Sequence, residues 1–201
     1  MTETAAAYSA RAAEYTALLG SMSTVHPSDR QIVDSWSEQV RGRVLDAGCG
    51  PGHWTKYLKD LGIDVFGIDV APAFVEQARS AYPGIQFDLQ SIDRIDEPDG
   101  SLGGVLSWFS TIHHEPSAIS TPISEFARTL CPGGMLVLGY FEGAVCEPFD
   151  HAVLRAYRWP AGDLHRLLDA AGLDLVETHR RTGRDHRPVG AIVCERRATD
   201  L

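Results

Sequence analysis

The sequence predicts an α/β chain built on a largely parallel, doubly wound sheet. Three observations lead there. From Arg43 onward, short apolar runs of strand length alternate with amphipathic runs of helix length. The first strand runs straight into the loop Gly48-Cys49-Gly50-Pro51-Gly52, with alternate glycines. The second strand closes on an acid, Asp69, 21 residues past Gly48.

Before the alternation lie two helical segments, read as a cap over residues 1–40. One runs from Thr4 to Leu19 and stops at Gly20-Ser21; the other runs from about Ser28 to Val40, with Ile32, Val33, Trp36 and Val40 on one face. Val44 to Ala47 is a short buried strand and Trp54 to Leu61 a helix. Asp64 to Ile68 is the next strand, followed by a helix from Pro72 to Ala81, where proline suits the first turn. Ile85 to Phe87 and Gly104 to Trp108 are strands, the latter entered through the turn Pro98-Asp99-Gly100-Ser101. Pro116 to Leu130 is a helix, Met135 to Phe141 a strand, and Gly162 to Ala171 a helix stopped by Gly172. Leu173 to Thr178 and Val189 to Glu195 have only Arg180 to Pro188 between them, so they form an antiparallel hairpin. No composition shift divides residues 41–201, and the whole chain, 1–201, is expected to be a single domain.

The 201 residues suit one sizeable core, and 44% hydrophobic with 22% charged residues is an ordinary globular balance. A net charge of −9 repels phosphate backbones, which argues against a nucleic-acid partner. The run Arg180, Arg181, Arg184 and Arg187 reads as a solvated strand end. No stretch approaches the ~18 apolar residues of a membrane span, and the N-terminus lacks a secretory pattern. Cys49, Cys131, Cys146 and Cys194 fit no zinc spacing and read as reduced thiols, which implies a cytoplasmic protein. No metal is expected. A homodimer is compatible with the sequence, which does not fix the oligomeric state.

The loop carries the chemistry. Glycine there lets the backbone bend and lets a ligand approach without a Cβ in the way. In a doubly wound sheet this crossover lies at the carboxyl edge, where ligands bind. An acid at the tip of the second strand can accept two hydrogen bonds from ribose hydroxyls, a role compatible with capping the following helix. Dinucleotides call for G-x-G-x-x-G with the pyrophosphate on the helix N-terminus. Here the spacing is G-x-G-x-G, position 53 is His, and Asp46 precedes the glycines by two residues. That carboxylate repels a pyrophosphate and attracts an ammonium. The loop therefore reads as a site for a positively charged nucleoside.

These motifs resemble those of the class I S-adenosylmethionine-dependent methyltransferases, most of all the small bacterial members similar to quinone-biosynthesis methyltransferases. The resemblance is strong over residues 43–139. Val44 to Gly52 is similar to the family's first motif and implies cofactor contacts from Asp46, Gly48, Cys49 and Gly50. Gly67 to Val70 resembles the second, with Asp69 on the ribose and Val70 beside the adenine. Gln90-Ser91-Ile92 falls at the adenine edge, where Ser91 stands in place of the family's usual acid. Leu102-Gly103 replaces the usual Phe-Asp before the fourth strand, whereas Cys131-Pro132-Gly133-Gly134 matches the turn before the fifth. The resemblance implies S-adenosylmethionine as cofactor, a small-molecule methyl acceptor, and sheet order 3-2-1-4-5-7-6 with the seventh strand antiparallel.

Methyl transfer from a sulfonium needs an in-line nucleophile, a dry cavity and, for some acceptors, a base. Tyr8, Tyr15, Trp54, Trp108 and Phe109 are candidates to face the sulfonium, since aromatic faces attract cations. Tyr8 and Tyr15 share one helix face. His113 and His114, past the fourth strand, are candidate bases, with His113 preferred. Tyr140, Phe141, Phe149, His151, Tyr157 and Trp159 are candidates to wall the acceptor cavity. A non-catalytic cofactor-binding protein and a nicotinamide-dependent oxidoreductase are the competing readings.

Overall fold

The computed structural model describes residues 3–183 and 186–198. Its elements are α1 (Glu3–Leu19), α2 (Pro27–Ser37), β1 (Val44–Ala47), α3 (His53–Asp60), β2 (Val65–Asp69), α4 (Pro72–Ala81), β3 (Phe87–Leu89) and β4 (Leu102–Trp108). They continue as α5 (Ser120–Thr129), β5 (Leu130–Glu142), β6 (Glu147–Phe149), β7 (Ala156–Trp159), α6 (Ala161–Ala170), β8 (Leu173–Gly183) and β9 (His186–Arg196).

The long strands lie in the order β3-β2-β1-β4-β5-β9-β8. β3, β2, β1, β4 and β5 are parallel, and β9 runs antiparallel to both β5 and β8. With the short β6–β7 ribbon set aside, this is the expected 3-2-1-4-5-7-6 order with its last strand reversed. The reversal follows from chain length. Too few residues separate β8 from β9 to build a crossover helix.

Period-two alternation divides the core between the two faces of the sheet. Leu45, Val105, Leu136, Leu138, Ile192 and Cys194 point to the side covered by α5 and α6 through Ile123, Phe126, Leu164 and Leu168. Val44, Leu106, Val137 and Val193 point to the other side, against Val33 and Trp36 of α2 and Leu58 of α3. α1 rests on α4 through Ala12, Ala71 and Phe74. Among the described residues no helix is long and apolar enough to cross a membrane.

Three of the differences from expectation have a clear physical cause. The ribbon of β6 and β7 falls where no strand is expected, because its three and four residues give no readable period and include Pro148. β7 pairs with β5 at Phe141 and Glu142. Since β9 holds one edge of β5 there and β4 stops pairing at Gly139, β7 takes the edge that β4 has left. Secondly, β8 and β9 extend well into the stretch read as a linker, with Gly183 paired to His186. The arginine run is thereby dispersed. Arg180 pairs with Glu142, Arg181 with Asp29, and Arg187 lies over the Phe149 ring; Arg184 falls outside the described residues. Thirdly, α5 starts at Ser120 rather than Pro116, because residues 115–118 form a turn closed by Ala118 N–H on the Glu115 carbonyl.

The unusual Leu102-Gly103 has a steric cause. A Cβ on Gly103 would lie 1.7 Å from the carbonyl oxygen of Arg41, where the chain enters the sheet. Gly103→Ala should therefore lower the unfolding free energy by roughly 1–3 kcal/mol, the usual cost of overpacking. Urea unfolding of the variant against wild type measures this.

Candidate active site

The site is assembled where β1, β2 and β4 end. Gly48 holds φ 78° and packs so closely that a Cβ would meet Ser110 at 2.4 Å. Gly50 holds φ 53°, and a Cβ there would meet nothing within 4 Å. The first glycine lets the loop close on β4, and the second leaves a cradle that a side chain would fill.

Asp69 ties this loop to β2. One carboxylate oxygen accepts the Gly50 N–H at 2.9 Å, and the other accepts the Ala71 N–H at 2.8 Å. Burial raises its pKa, and the backbone hydrogen bonds partly offset that rise. The carboxylate lone pairs not taken by backbone N–H groups remain for a ligand hydroxyl. The helix cap itself is Ala71, so Asp69 braces the turn into α4 from outside the helix. Asp46 is more deeply placed. It accepts the Thr55 hydroxyl at 2.6 Å, and burial pushes its pKa up to about 7.

Two cavities open here. One, of about 330 Å³, runs past Gly48, Asp69, Val70, Ser91, Ile92 and His114. The other, of about 520 Å³, runs past Asp46, Cys49, His53, Trp54, Phe141 and His151. Tyr8, Tyr15, Gly50, Trp108 and Phe109 border both. Every residue singled out for cofactor or base chemistry thus lines one cavity or both. Among the acceptor-wall candidates, Phe141 and His151 line the second cavity, and Phe149 packs behind them at 5.0 and 6.2 Å. Tyr140, Tyr157 and Trp159 lie in the core instead.

Rings join these walls at tilted or edge-to-face angles. Trp54 meets Trp108 at 5.6 Å, Trp108 meets Phe109 at 5.5 Å, and Phe109 meets Phe141 at 5.1 Å. The chain continues from Phe141 to His151 at 5.9 Å, to His113 at 5.3 Å, and to Tyr8 and Tyr15 at 5.5 and 5.8 Å. Phe109, at φ 58°, is the one non-glycine residue with positive φ among the described residues. A bulky residue there is strained, and such strain collects at functional sites.

His113 is held at both nitrogens. Nδ1 lies 2.8 Å from the Arg155 carbonyl, which accepts only, so Nδ1 carries the proton. Nε2 then accepts the Tyr8 hydroxyl at 2.8 Å. Burial lowers the His113 pKa, which favours the neutral ring. His114 Nε2 lies 2.8 Å from the Asp93 carboxylate, which accepts, and Nδ1 lies 3.3 Å from the Thr111 carbonyl. The Ser91 hydroxyl accepts the Asp93 N–H at 3.1 Å. Sequence reasoning missed Asp93, which brings an acid to the first cavity two residues after Ser91. It also missed His53, Asp29 and Arg181, which line the second. His53 had a signal, since it opens the helix after the glycine loop. Arg181 and Asp29 had none, being 152 residues apart.

A glycine cradle, an acid at the tip of the adjoining strand and a cluster of aromatic rings thus meet at the carboxyl edge of a doubly wound sheet. Residues 44–134 match the methyltransferase domain family. Over that segment the chain is similar to S-adenosylmethionine-dependent methyltransferases. It is 29% identical over 181 residues to a ubiquinone biosynthesis O-methyltransferase of Nitrosococcus oceani, covering 82% of this chain and 76% of that one. Identity to a demethylmenaquinone methyltransferase of Beutenbergia cavernae is 29% over 121 residues, covering 60% and 50%. The chain spans about half the length of several curated relatives it matches. Among solved structures, the 1,6-didemethyltoxoflavin-N1-methyltransferase of Burkholderia thailandensis, with 1,6-didemethyltoxoflavin and S-adenosylhomocysteine bound, shares the fold. Its TM-score is 0.78 at 20% identity, covering 98% of this chain and 90% of that one.

The pKa of Asp46 sets a pH dependence. A carboxyl held above its unfolded value adds stability at low pH and withdraws it as pH rises through the folded value. Asp46→Asn keeps the acceptor for Thr55 and cannot ionise. It should gain on wild type progressively between pH 3.8 and about 7. The gain should reach the order of 1 kcal/mol or more. Urea midpoints of both proteins across that range give the comparison.

Proposed function

We propose that the protein binds S-adenosylmethionine and transfers its methyl group to a small organic acceptor. The observation that carries this is the Asp69 carboxylate, fixed by the Gly50 and Ala71 N–H groups at the rim of the first cavity. Its remaining lone pairs suit the two ribose hydroxyls. Val70, Ile92 and Phe74 offer apolar surface to the adenine, and Asp93 offers an acid for its amino group. Asp46 faces the cationic methionine end, and Gly50 leaves room for the chain between. When bound, the cofactor supplies an electrophilic methyl group on a sulfonium. The Tyr8, Trp108 and Phe109 rings border both cavities, where they attract that cation and exclude water. The nicotinamide alternative fares worse, because Asp46 and the His53 side chain stand where a pyrophosphate would go.

Proton removal from the acceptor falls to the Tyr8–His113 pair. The Tyr8 oxygen takes the acceptor's proton while its own passes to Nε2 of His113. The Arg155 carbonyl holds the resulting imidazolium through Nδ1. His114 is tied to Asp93 and serves the adenine side.

Asp69→Ala removes up to two charge-assisted hydrogen bonds, each worth ~1.5–3 kcal/mol. Calorimetry with S-adenosylhomocysteine should show at least a roughly tenfold loss of affinity in a folded variant. Unchanged affinity would take Asp69 out of the site. For the base, Tyr8→Phe and His113→Ala should each lower kcat on an identified acceptor by a factor of ~10²–10⁴. Because the two residues act as one unit, the double variant should be little worse than either single one. Full additivity would separate their roles.

A further inference from the structure

We propose that the methyl acceptor is an uncharged, planar aromatic molecule of one or two rings, seated in the 520 Å³ cavity against the ring chain that runs from Trp54 to His151. This rests on the methyltransferase reading above and narrows it to an acceptor class.

The walls argue for planarity. Successive rings from Trp54 to His151 meet at steep or tilted angles, between 52° and 83°, so they present both edges and faces to the space they enclose. A flat π-guest can meet them edge to face or offset-stacked, and a saturated guest of the same size cannot. Phe149 backs Phe141 at 5.0 Å, which holds that wall in place. The volume admits a fused bicycle beside the methionine end of the cofactor.

The charges argue for neutrality. Arg181 is the one lysine or arginine among the described residues lining this cavity. Its Nε and Nη2 are both committed to the two Asp29 oxygens, at 3.2 and 2.6 Å. The side chains of Arg181 and Asp29 are 28% and 14% exposed, so the pair is shielded from solvent screening. A carboxylate acceptor would find the one guanidinium lining the cavity already neutralised by Asp29. Burial brings the His53 and His151 rings down to a pKa of about 4. Nδ1 of His53 is buried with no hydrogen-bond partner among the described residues. A hydroxyl or ring N–H on the guest would satisfy it, as a buried polar atom requires.

The test is equilibrium dialysis of protein loaded with S-adenosylhomocysteine against three probes of one size. These are 2-naphthol, the carboxylate 2-naphthoate and the saturated decahydro-2-naphthol. Naphthol should bind at least about tenfold tighter than either of the others. Asp29→Asn releases the guanidinium of Arg181, and should raise naphthoate affinity about tenfold while leaving naphthol nearly unchanged. Phe141→Ala should weaken naphthol binding with S-adenosylhomocysteine affinity intact. If wild-type protein binds naphthoate or the saturated alcohol as tightly as naphthol, the proposal is overturned. The same holds if none of the three binds while S-adenosylhomocysteine does. Failure of S-adenosylhomocysteine itself to bind removes the methyltransferase reading, and this proposal with it.

Discussion

The hydrogen bond from the Gly50 N–H to the Asp69 carboxylate joins the two strand ends on which the site is built. It is buried, and a charged acceptor makes it stronger than a neutral one. Through it the loop after β1 takes its position from β2, and the Ala71 N–H on the other oxygen carries that position into α4. α4 in turn supports α1 through Phe74 and Ala12, so the aromatic lid inherits its place from the same carboxylate. The loop so placed borders the crevice between β1 and β4, where the strand order reverses and open parallel sheets bind ligands.

Two buried carboxylates so close together have an electrostatic consequence. The ionised form of each disfavours the other, and Asp69 contributes to raising Asp46. The two acids thus stand in an environment that a bound cation would relieve. Binding a positively charged nucleoside and stabilising this edge of the fold are then the same event, in line with the general linkage between ligand and stability. Thr55 offsets part of the burial cost at Asp46, which is why a hydroxyl stands one turn into α3 facing β1.

The ring chain shows how packing and chemistry share residues. Phe109 sits in a left-handed conformation that a bulky residue rarely adopts, and its ring there joins Trp108 to Phe141. Tyr8 reaches His113 across 105 residues and meets it at Nε2, the nitrogen that the Arg155 carbonyl leaves unprotonated. On the opposite wall, Arg181 reaches Asp29 across 152 residues and cancels the charge of its own cavity. The cap helices α1 and α2 are thus fastened to the sheet by polar contacts that also set the properties of the site.

Much of the fold was legible in the sequence because it rests on local chemistry. Strand and helix periods, the alternate glycines and the acid closing β2 need only the residues nearby. β1 and α4 have the expected bounds, since a buried apolar run and a proline at the first turn mark their starts. The resemblance supplied the strand order, which the long strands follow. Tertiary structure decided what depends on distant backbone. Gly103 is required by the Arg41 carbonyl, β7 exists because β4 stops short of Phe141, and Tyr140 turns into the core while its neighbour Phe141 turns to the cavity. The pairs Tyr8–His113 and Arg181–Asp29 belong to the same class. A sequence records which groups can donate or accept, but partners separated by more than a hundred residues meet only once the sheet has fixed the distance between them.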